Sequence, residues 1–209
     1  MGATDQTLAL FRSAAGLLVD LDGTLADSSA PVRRAWTAFA ARHGLDVPTV
    51  LHRAQGRPSR ETVRAYAPRD TWAAEEAALE EAECTDTDGT RALPGAAELL
   101  ATGRALALVT SCSSRLAAVR LPAAGLPVPS IVISADDVTL GKPDPECFTL
   151  GARALGLPPG RCLALEDSPA GVAAARAAGV PVIALRTTHA PAELPGADGF
   201  ADDLAALLP

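Results

Sequence analysis

Short apolar runs alternate with longer stretches of helical spacing along most of the chain, and glycine or proline lies near most junctions. The strands predicted from the apolar runs are 15–21, 106–110, 131–134, 162–166 and 180–185. The helices predicted between them are 95–101, 113–121, 145–155 and 169–178. Because such alternation is typical of parallel sheets, we expect an α/β fold with a Rossmann-like parallel sheet and helices on both faces.

Residues 28–88 interrupt this alternation, because they contain no apolar strand run. The helices predicted in this segment are 31–43, about 59–66, and 69–83. We therefore expect a helical insertion at 28–88 over the carboxyl edge of the sheet, and an α/β core formed by 1–27 together with 89–209.

The first apolar run ends in two aspartates, Asp20 and Asp22. Residues two apart share a site only if the strand ends between them, and the following Gly23 and Thr24 favour a turn there. Two converging carboxylates repel unless a divalent cation neutralises them or one is protonated. Oxygen ligands of this kind suit Mg²⁺, although a capping or turn pair is the alternative explanation.

Further polar residues stand near the ends of other runs, where parallel sheets bind their ligands. Thr110 and Ser111 offer hydroxyl groups to a phosphate oxygen, and Glu166 with Asp167 forms a second carboxylate pair. Lys142 is the single lysine among 18 cationic residues. A site that needs a compact ammonium group explains this lysine, because the wider guanidinium of arginine cannot replace it. The alternative is that the one lysine is present by chance and has no functional role.

Composition excludes several classes of protein. A net charge of -7 and an aromatic content of 3% argue against nucleic-acid binding. Zinc and disulfide frameworks are not expected, because the cysteines (Cys84, Cys112, Cys147 and Cys162) are far apart. No apolar run approaches the roughly 18 residues of a membrane span, so we expect a cytoplasmic protein without membrane partners.

Four segments, DLDGTLADS, the strand end at Thr110, GKPDP and ALEDSPAGVAAARAAG, resemble the signature motifs of the haloacid dehalogenase superfamily, in their usual order. The insertion looks like the helical C1-type cap of that superfamily. The stretches QGRPSRETVRAYAP and ALRTTHAPAEL look most like its sugar- and polyol-phosphate phosphatases, including the deoxyglucose- and glycerol-phosphate enzymes.

The resemblance implies a phosphatase that forms an aspartyl-phosphate. Asp20 would attack phosphorus, and Asp22 would act as general acid and then as general base. Thr110 and Lys142 would complete the catalytic set. The implied Mg²⁺ ligands are Asp20, the backbone carbonyl of Asp22, Asp167 and, directly or through water, Glu166. The expected contacts to phosphate and substrate are Leu21 and Ser111 in the core, and Arg57, Arg60 and Glu61 in the cap.

The cap residues have an alternative explanation as exposed residues at a helix start, and the three histidines are expected to be surface or packing residues. The expected partner is a small phosphorylated metabolite, and the expected state is a monomer or weak homodimer. A phosphomutase similar to β-phosphoglucomutase stays open as an alternative function. A phospho-accepting receiver domain fits poorly, because its lysine comes last and it has no helical insertion.

Overall fold

The computed structural model describes residues 3–208. Its strands are β1 (Gly16–Val19), β2 (Ala26–Asp27), β3 (Arg91–Ala92), β4 (Leu106–Val109), β5 (Val132–Ile133), β6 (Cys162–Glu166), β7 (Val182–Leu185) and β8 (Gly199–Ala201). Six of them form one parallel sheet in the order β5-β4-β1-β6-β7-β8. The predicted parallel α/β fold is confirmed, and each predicted apolar run contains a strand of this sheet.

The helices cover both faces of the sheet because alternate strand residues point to opposite sides. Leu17 and Val19 of β1 pack in one apolar cluster with Phe11, whereas Leu18 packs in another with Phe148. The helices are α1 (Asp5–Ser13), α2 (Ser29–His43), α3 (Val47–Ala54), α4 (Ser59–Tyr66), α5 (Trp72–Thr85), α6 (Ala96–Ala101), α7 (Ser114–Ala123), α8 (Glu146–Ala154) and α9 (Pro169–Ala177).

Five of these strands and helices were absent from the sequence-based prediction: α1, α3, β2, β3 and β8. The strand β8 has three residues, which is too short for a periodic signal. A signal for α3 was present, because Asp46 caps the backbone amide of Thr49 and Pro48 lies in the first turn.

Helices α2 to α5 lie within the segment predicted as an insertion, and we call them the cap. They have an apolar cluster of their own, in which the buried residues include Trp36, Phe39, Val50, Val63 and Leu79. The antiparallel pair β2–β3 stands where the chain enters and leaves the cap. The boundaries of the cap as a separate domain stay a prediction.

Candidate active site

The carboxyl edge of the sheet brings together residues from β1, β4 and β6. Since β1 lies between the other two, Asp20, Thr110 and the Glu166–Asp167 pair leave adjacent strands at the same edge. All four side chains are buried. Asp20, Thr110 and Asp167 also line a cavity of about 220 Å³ between the core and the cap.

Lys142 lies behind the nucleophile predicted from the sequence. Its Nζ donates hydrogen bonds to Asp20 Oδ1 at 2.6 Å, to Glu166 Oε1 at 2.6 Å and to the backbone carbonyl of Val109 at 3.0 Å. The side chain is 1% exposed. Burial alone would lower the pKa of Lys142, but the charges of Asp20 and Glu166 outweigh burial and raise it, so the amine stays charged.

The Glu166 carboxylate is fully engaged inside the protein. Oε2 accepts hydrogen bonds at 2.9 Å from the backbone amides of Asp167 and Ser168 and from the Ser168 hydroxyl. Gly171 allows this close approach, because a Cβ there would lie 1.8 Å from Glu166 Oε1. Glu166 is therefore placed to fix Lys142 and the turn after β6, and the structure does not bring it to the cavity wall.

Asp167 is held beside the turn that follows Asp20. Its carboxylate accepts hydrogen bonds from the hydroxyls of Thr24, at 3.2 Å, and Thr188. Burial raises the pKa of Asp167 to about 7, with the charge of Glu166 adding to the effect. Burial also raises the pKa of Asp20, because Lys142 offsets only part of the combined effect of desolvation, Glu166 and Asp167.

These donors fit Mg²⁺, the ion implied by the sequence motifs. Asp20, Glu166 and Asp167 are three buried carboxylates, and Lys142 pairs with the first two of them, so a divalent cation would compensate the excess negative charge. Within residues 3–208, no three His, Cys, Asp or Glu side chains are grouped so that they alone would enclose a metal ion. Mg²⁺ does not need such an enclosure, because it commonly binds one or two carboxylates and keeps several waters.

Asp22 faces the cap side of the cavity. Its Oδ1 accepts a 2.6 Å hydrogen bond from Ser28 Oγ, and its Oδ2 pairs with Arg120 of α7 at 2.5 Å. The same guanidinium reaches Glu83 of α5, also at 2.5 Å. The buried residues Arg120 and Glu83 thus join the half-buried Asp22, the predicted general acid, to the cap.

Sequence reasoning missed both Arg120 and Glu83. Each is 4% exposed and lines the cavity. A signal existed in the helical spacing, because Arg120 follows the buried Leu116 by four residues and Glu83 likewise follows Leu79. Burial raises the pKa of Glu83 to about 7 although Arg120 acts in the opposite direction. Asp22 and Glu83 together raise the pKa of Arg120 against the effect of its burial.

Three further core residues were predicted to contact the phosphate: Thr110, Ser111 and Leu21. Thr110 Oγ1 accepts a 3.2 Å hydrogen bond from the backbone amide of Cys112. Ser111 donates its hydroxyl to the carbonyl of Gly56 in the cap, at 2.9 Å. The Leu21 side chain is fully buried in the core, so a contact to phosphate would have to come from its backbone.

The three predicted cap residues are not brought together at the cavity. Arg57 lines it and lies 3.7 Å from Glu61 in a partly exposed ion pair. Arg60 is directed elsewhere, because its guanidinium donates to the backbone carbonyls of Ala135, at 2.8 Å, and Val138, at 3.2 Å. Neither Arg60 nor Glu61 lines the cavity, so the expected substrate contact of Arg60 does not match its placement.

His189 was expected to be a surface or packing residue, but it lines the cavity. Its Nδ1 lies 3.0 Å from the backbone carbonyl of Asp167 and 2.8 Å from Thr188 Oγ1. Its position after β7 places it at the same edge of the sheet as the other site residues.

The chain is similar in sequence to known hydrolases. A family model described as a haloacid dehalogenase-like hydrolase matches residues 15–179. Hexitol phosphatase A of Escherichia coli (strain K12) is 44% identical over 187 residues, which cover 86% of this chain and 85% of that protein. Validoxylamine A 7'-phosphate phosphatase of Streptomyces hygroscopicus subsp. limoneus is 37% identical, with 90% and 92% covered.

Among solved structures, a hydrolase from Pseudomonas syringae superposes with a TM-score of 0.83 at 27% identity, covering 93% of this chain and 96% of that one. In the described part of the chain, no helix has the length and apolar character needed to cross a membrane.

Proposed function

The chain belongs to the haloacid dehalogenase-like hydrolase family and is a phosphatase; we propose that its substrate is a small polyol or sugar monophosphate and its cofactor Mg²⁺. One observation carries the assignment of the catalytic centre. Asp20 lines the cavity while Lys142 holds its Oδ1 from behind, so this carboxylate is fixed where a phosphoryl group would enter. The names of the two similar phosphatases support a hydroxyl-rich substrate.

The proposed reaction has two displacements at phosphorus. In the first, an Asp20 carboxylate oxygen forms a bond to phosphorus, the ester P–O bond breaks, and Asp22 gives its proton to the leaving alcohol oxygen. In the second, Asp22 takes a proton from water, whose oxygen attacks the same phosphorus while the bond between phosphorus and the Asp20 oxygen breaks. Inorganic phosphate leaves, and the Asp20 carboxylate is restored.

The other residues orient these groups and balance charge. Lys142 stays protonated and compensates negative charge at Asp20, and the Thr110 hydroxyl and the Ser111 amide would contact phosphoryl oxygens. Asp20, Asp167 and the carbonyl of Asp22 would hold Mg²⁺, which supplies charge neutralisation at the phosphoryl oxygens. The cap covers the cavity with apolar side chains that include Val32, Trp36 and Leu51, which limits the access of water.

Phosphate release from a panel of hexitol, glycerol, hexose and two-carbon phosphates, measured with Mg²⁺ and with EDTA, tests this function. We expect release that depends on Mg²⁺ and is fastest with polyol or sugar phosphates. Release without any bisphosphate primer distinguishes the phosphatase from a phosphomutase. A protein that isomerises sugar phosphates while releasing little phosphate would contradict the proposal.

A further inference from the structure

Glu83 is a buried carboxylate whose two oxygens have different surroundings. Its Oε2 accepts a 2.5 Å hydrogen bond from Arg120. Its Oε1 is buried and has no hydrogen-bond partner in the structure. A buried acceptor that lacks a donor costs stability, so such an oxygen points to a donor that arrives with a bound molecule.

The position of Glu83 shows where that molecule would lie. The residue is 4% exposed, belongs to the cap helix α5 and lines the same cavity as Asp20 and Asp22. Val32, Trp36 and Leu51 line the same cavity, and no group in the described part of the chain donates a hydrogen bond to Glu83 Oε1. Because Glu83 lines this cavity, a molecule bound there can supply the donor that Oε1 lacks.

The charge around Glu83 selects the kind of donor. Arg120 already supplies a buried positive charge to this carboxylate and to Asp22. A second cation beside the guanidinium would be repelled, whereas an uncharged hydroxyl group would not. A hydroxyl can donate to Oε1, and the carbon skeleton that carries it can contact the apolar side chains that line the cavity.

We propose that Glu83 Oε1 accepts a hydrogen bond from a substrate hydroxyl close to the phosphoester and so selects polyol phosphates over alkyl phosphates. The closeness follows from Arg120, because one guanidinium spans Asp22, the proton donor to the leaving oxygen, and Glu83. The inference rests on the proposed phosphatase function and adds to it a residue that recognises the leaving group.

The test compares glycerol 1-phosphate with propyl phosphate, which has the same carbon chain without the two free hydroxyls. The quantity measured is the ratio of kcat/KM for the two substrates. In the wild type we expect a ratio of about 10 to 100, the discrimination that a hydrogen bond to a buried charged group provides. In Glu83→Ala the ratio should fall close to 1.

This ratio separates recognition from structural damage. A displaced Arg120 or Asp22 would slow both substrates alike and leave the ratio unchanged. Glu83→Leu serves as the second variant, because its apolar side chain fills the space of the carboxylate if the alanine variant does not fold. The matched control is Glu81→Ala, which removes an exposed ion pair between the same two helices, with Arg115, and should keep the wild-type ratio.

Two results would overturn the inference while leaving the phosphatase function in place. One is a wild type that hydrolyses other phosphomonoesters but does not prefer glycerol 1-phosphate over propyl phosphate. The other is a ratio that stays at its wild-type value in the folded Glu83 variants. A wild type that releases no phosphate from any phosphomonoester, p-nitrophenyl phosphate included, would instead remove the proposed function itself and the inference with it.

Discussion

Two buried cations in this protein each bridge two carboxylates, and they differ in the parts of the chain that they connect. Lys142 bridges Asp20 and Glu166, which leave the adjacent strands β1 and β6 of the core. Arg120 bridges Asp22, also in the core, and Glu83, on helix α5 of the cap. The first cluster is complete within the core, whereas the second forms only where α5 packs against α7.

Because of this difference, the nucleophile and the general acid of the proposed reaction are held by different parts of the protein. The nucleophile is held by side chains and backbone of one rigid sheet edge, so its position does not depend on the cap. The general acid is held by a cation that also contacts the cap, so its position depends on how the cap is seated. We therefore expect changes at the Lys142 cluster to act mainly on chemistry, and changes at the Arg120 cluster to act also on substrate selection.

The largest effect is expected from Asp20→Asn, which breaks the core cluster at the nucleophile. The amide cannot form the bond to phosphorus, so turnover should fall by a factor on the order of 10⁴ or more. The measurements are phosphate release and the thermal midpoint of the purified variant, which should remain folded. Near wild-type turnover in this variant would disprove the role of Asp20.

The next effect is expected from Lys142→Arg, which keeps the charge of the core cluster but changes its shape. Turnover should fall about a hundredfold, equivalent to roughly 3 kcal/mol in the barrier, because the wider guanidinium cannot make the same three hydrogen bonds. Retention of more than about half of the wild-type turnover would refute the catalytic role of this lysine.

The structure also changes what is expected for the stability of Lys142→Arg. From sequence alone, a side chain facing the active site should alter stability little. Lys142 is instead 1% exposed, so the larger group has to displace its neighbours. We now expect the free energy of unfolding to fall by about 1–3 kcal/mol, measured by denaturant titration.

A smaller loss of activity is expected from Arg120→Met, which breaks the cluster between core and cap. Turnover should fall about tenfold as Asp22 loses its cationic partner, and the free energy of unfolding should fall by about 3 kcal/mol, because Glu83 loses its buried ion-pair partner. Arg115→Met on the same helix is the control, since its ion pair with Glu81 is exposed and should contribute little. Equal effects of the two substitutions would contradict the distinction between these arginines.

The smallest effects are expected from the two arginines at the start of α4, and they should differ in kind. Arg57→Ala should raise KM several-fold and leave the thermal midpoint unchanged, because Arg57 lines the cavity and is partly exposed. Arg60→Ala should lower the free energy of unfolding by about 1 kcal/mol, because it removes hydrogen bonds from the cap to core carbonyls. A reversed pattern would restore Arg60 as the substrate contact.

The set of residues at the carboxyl edge of the sheet was predictable, because their shared position follows from local sequence patterns. An apolar run predicts a buried strand, and parallel strands end at a common edge, so Asp20, Thr110 and Asp167 had to lie close together. The sequence also singled out Lys142, whose amine the structure then places on Asp20. What it did not show is that Glu166 faces this amine and the turn after β6 instead of the cavity.

The sequence by itself determined the parallel sheet, the helical nature of the insertion and the residues at the carboxyl edge, because each depends on short-range periodicity and on chain connectivity. Only the tertiary structure decided which faces of the cap helices meet the core. Glu83 and Arg120 are 37 residues apart, and Arg120 and Asp22 are 98 apart. Helical spacing shows that such residues are buried on their own helix, but the packing of α5 against α7 selects their partners, since contacts between helices depend on the shape and charge of both surfaces.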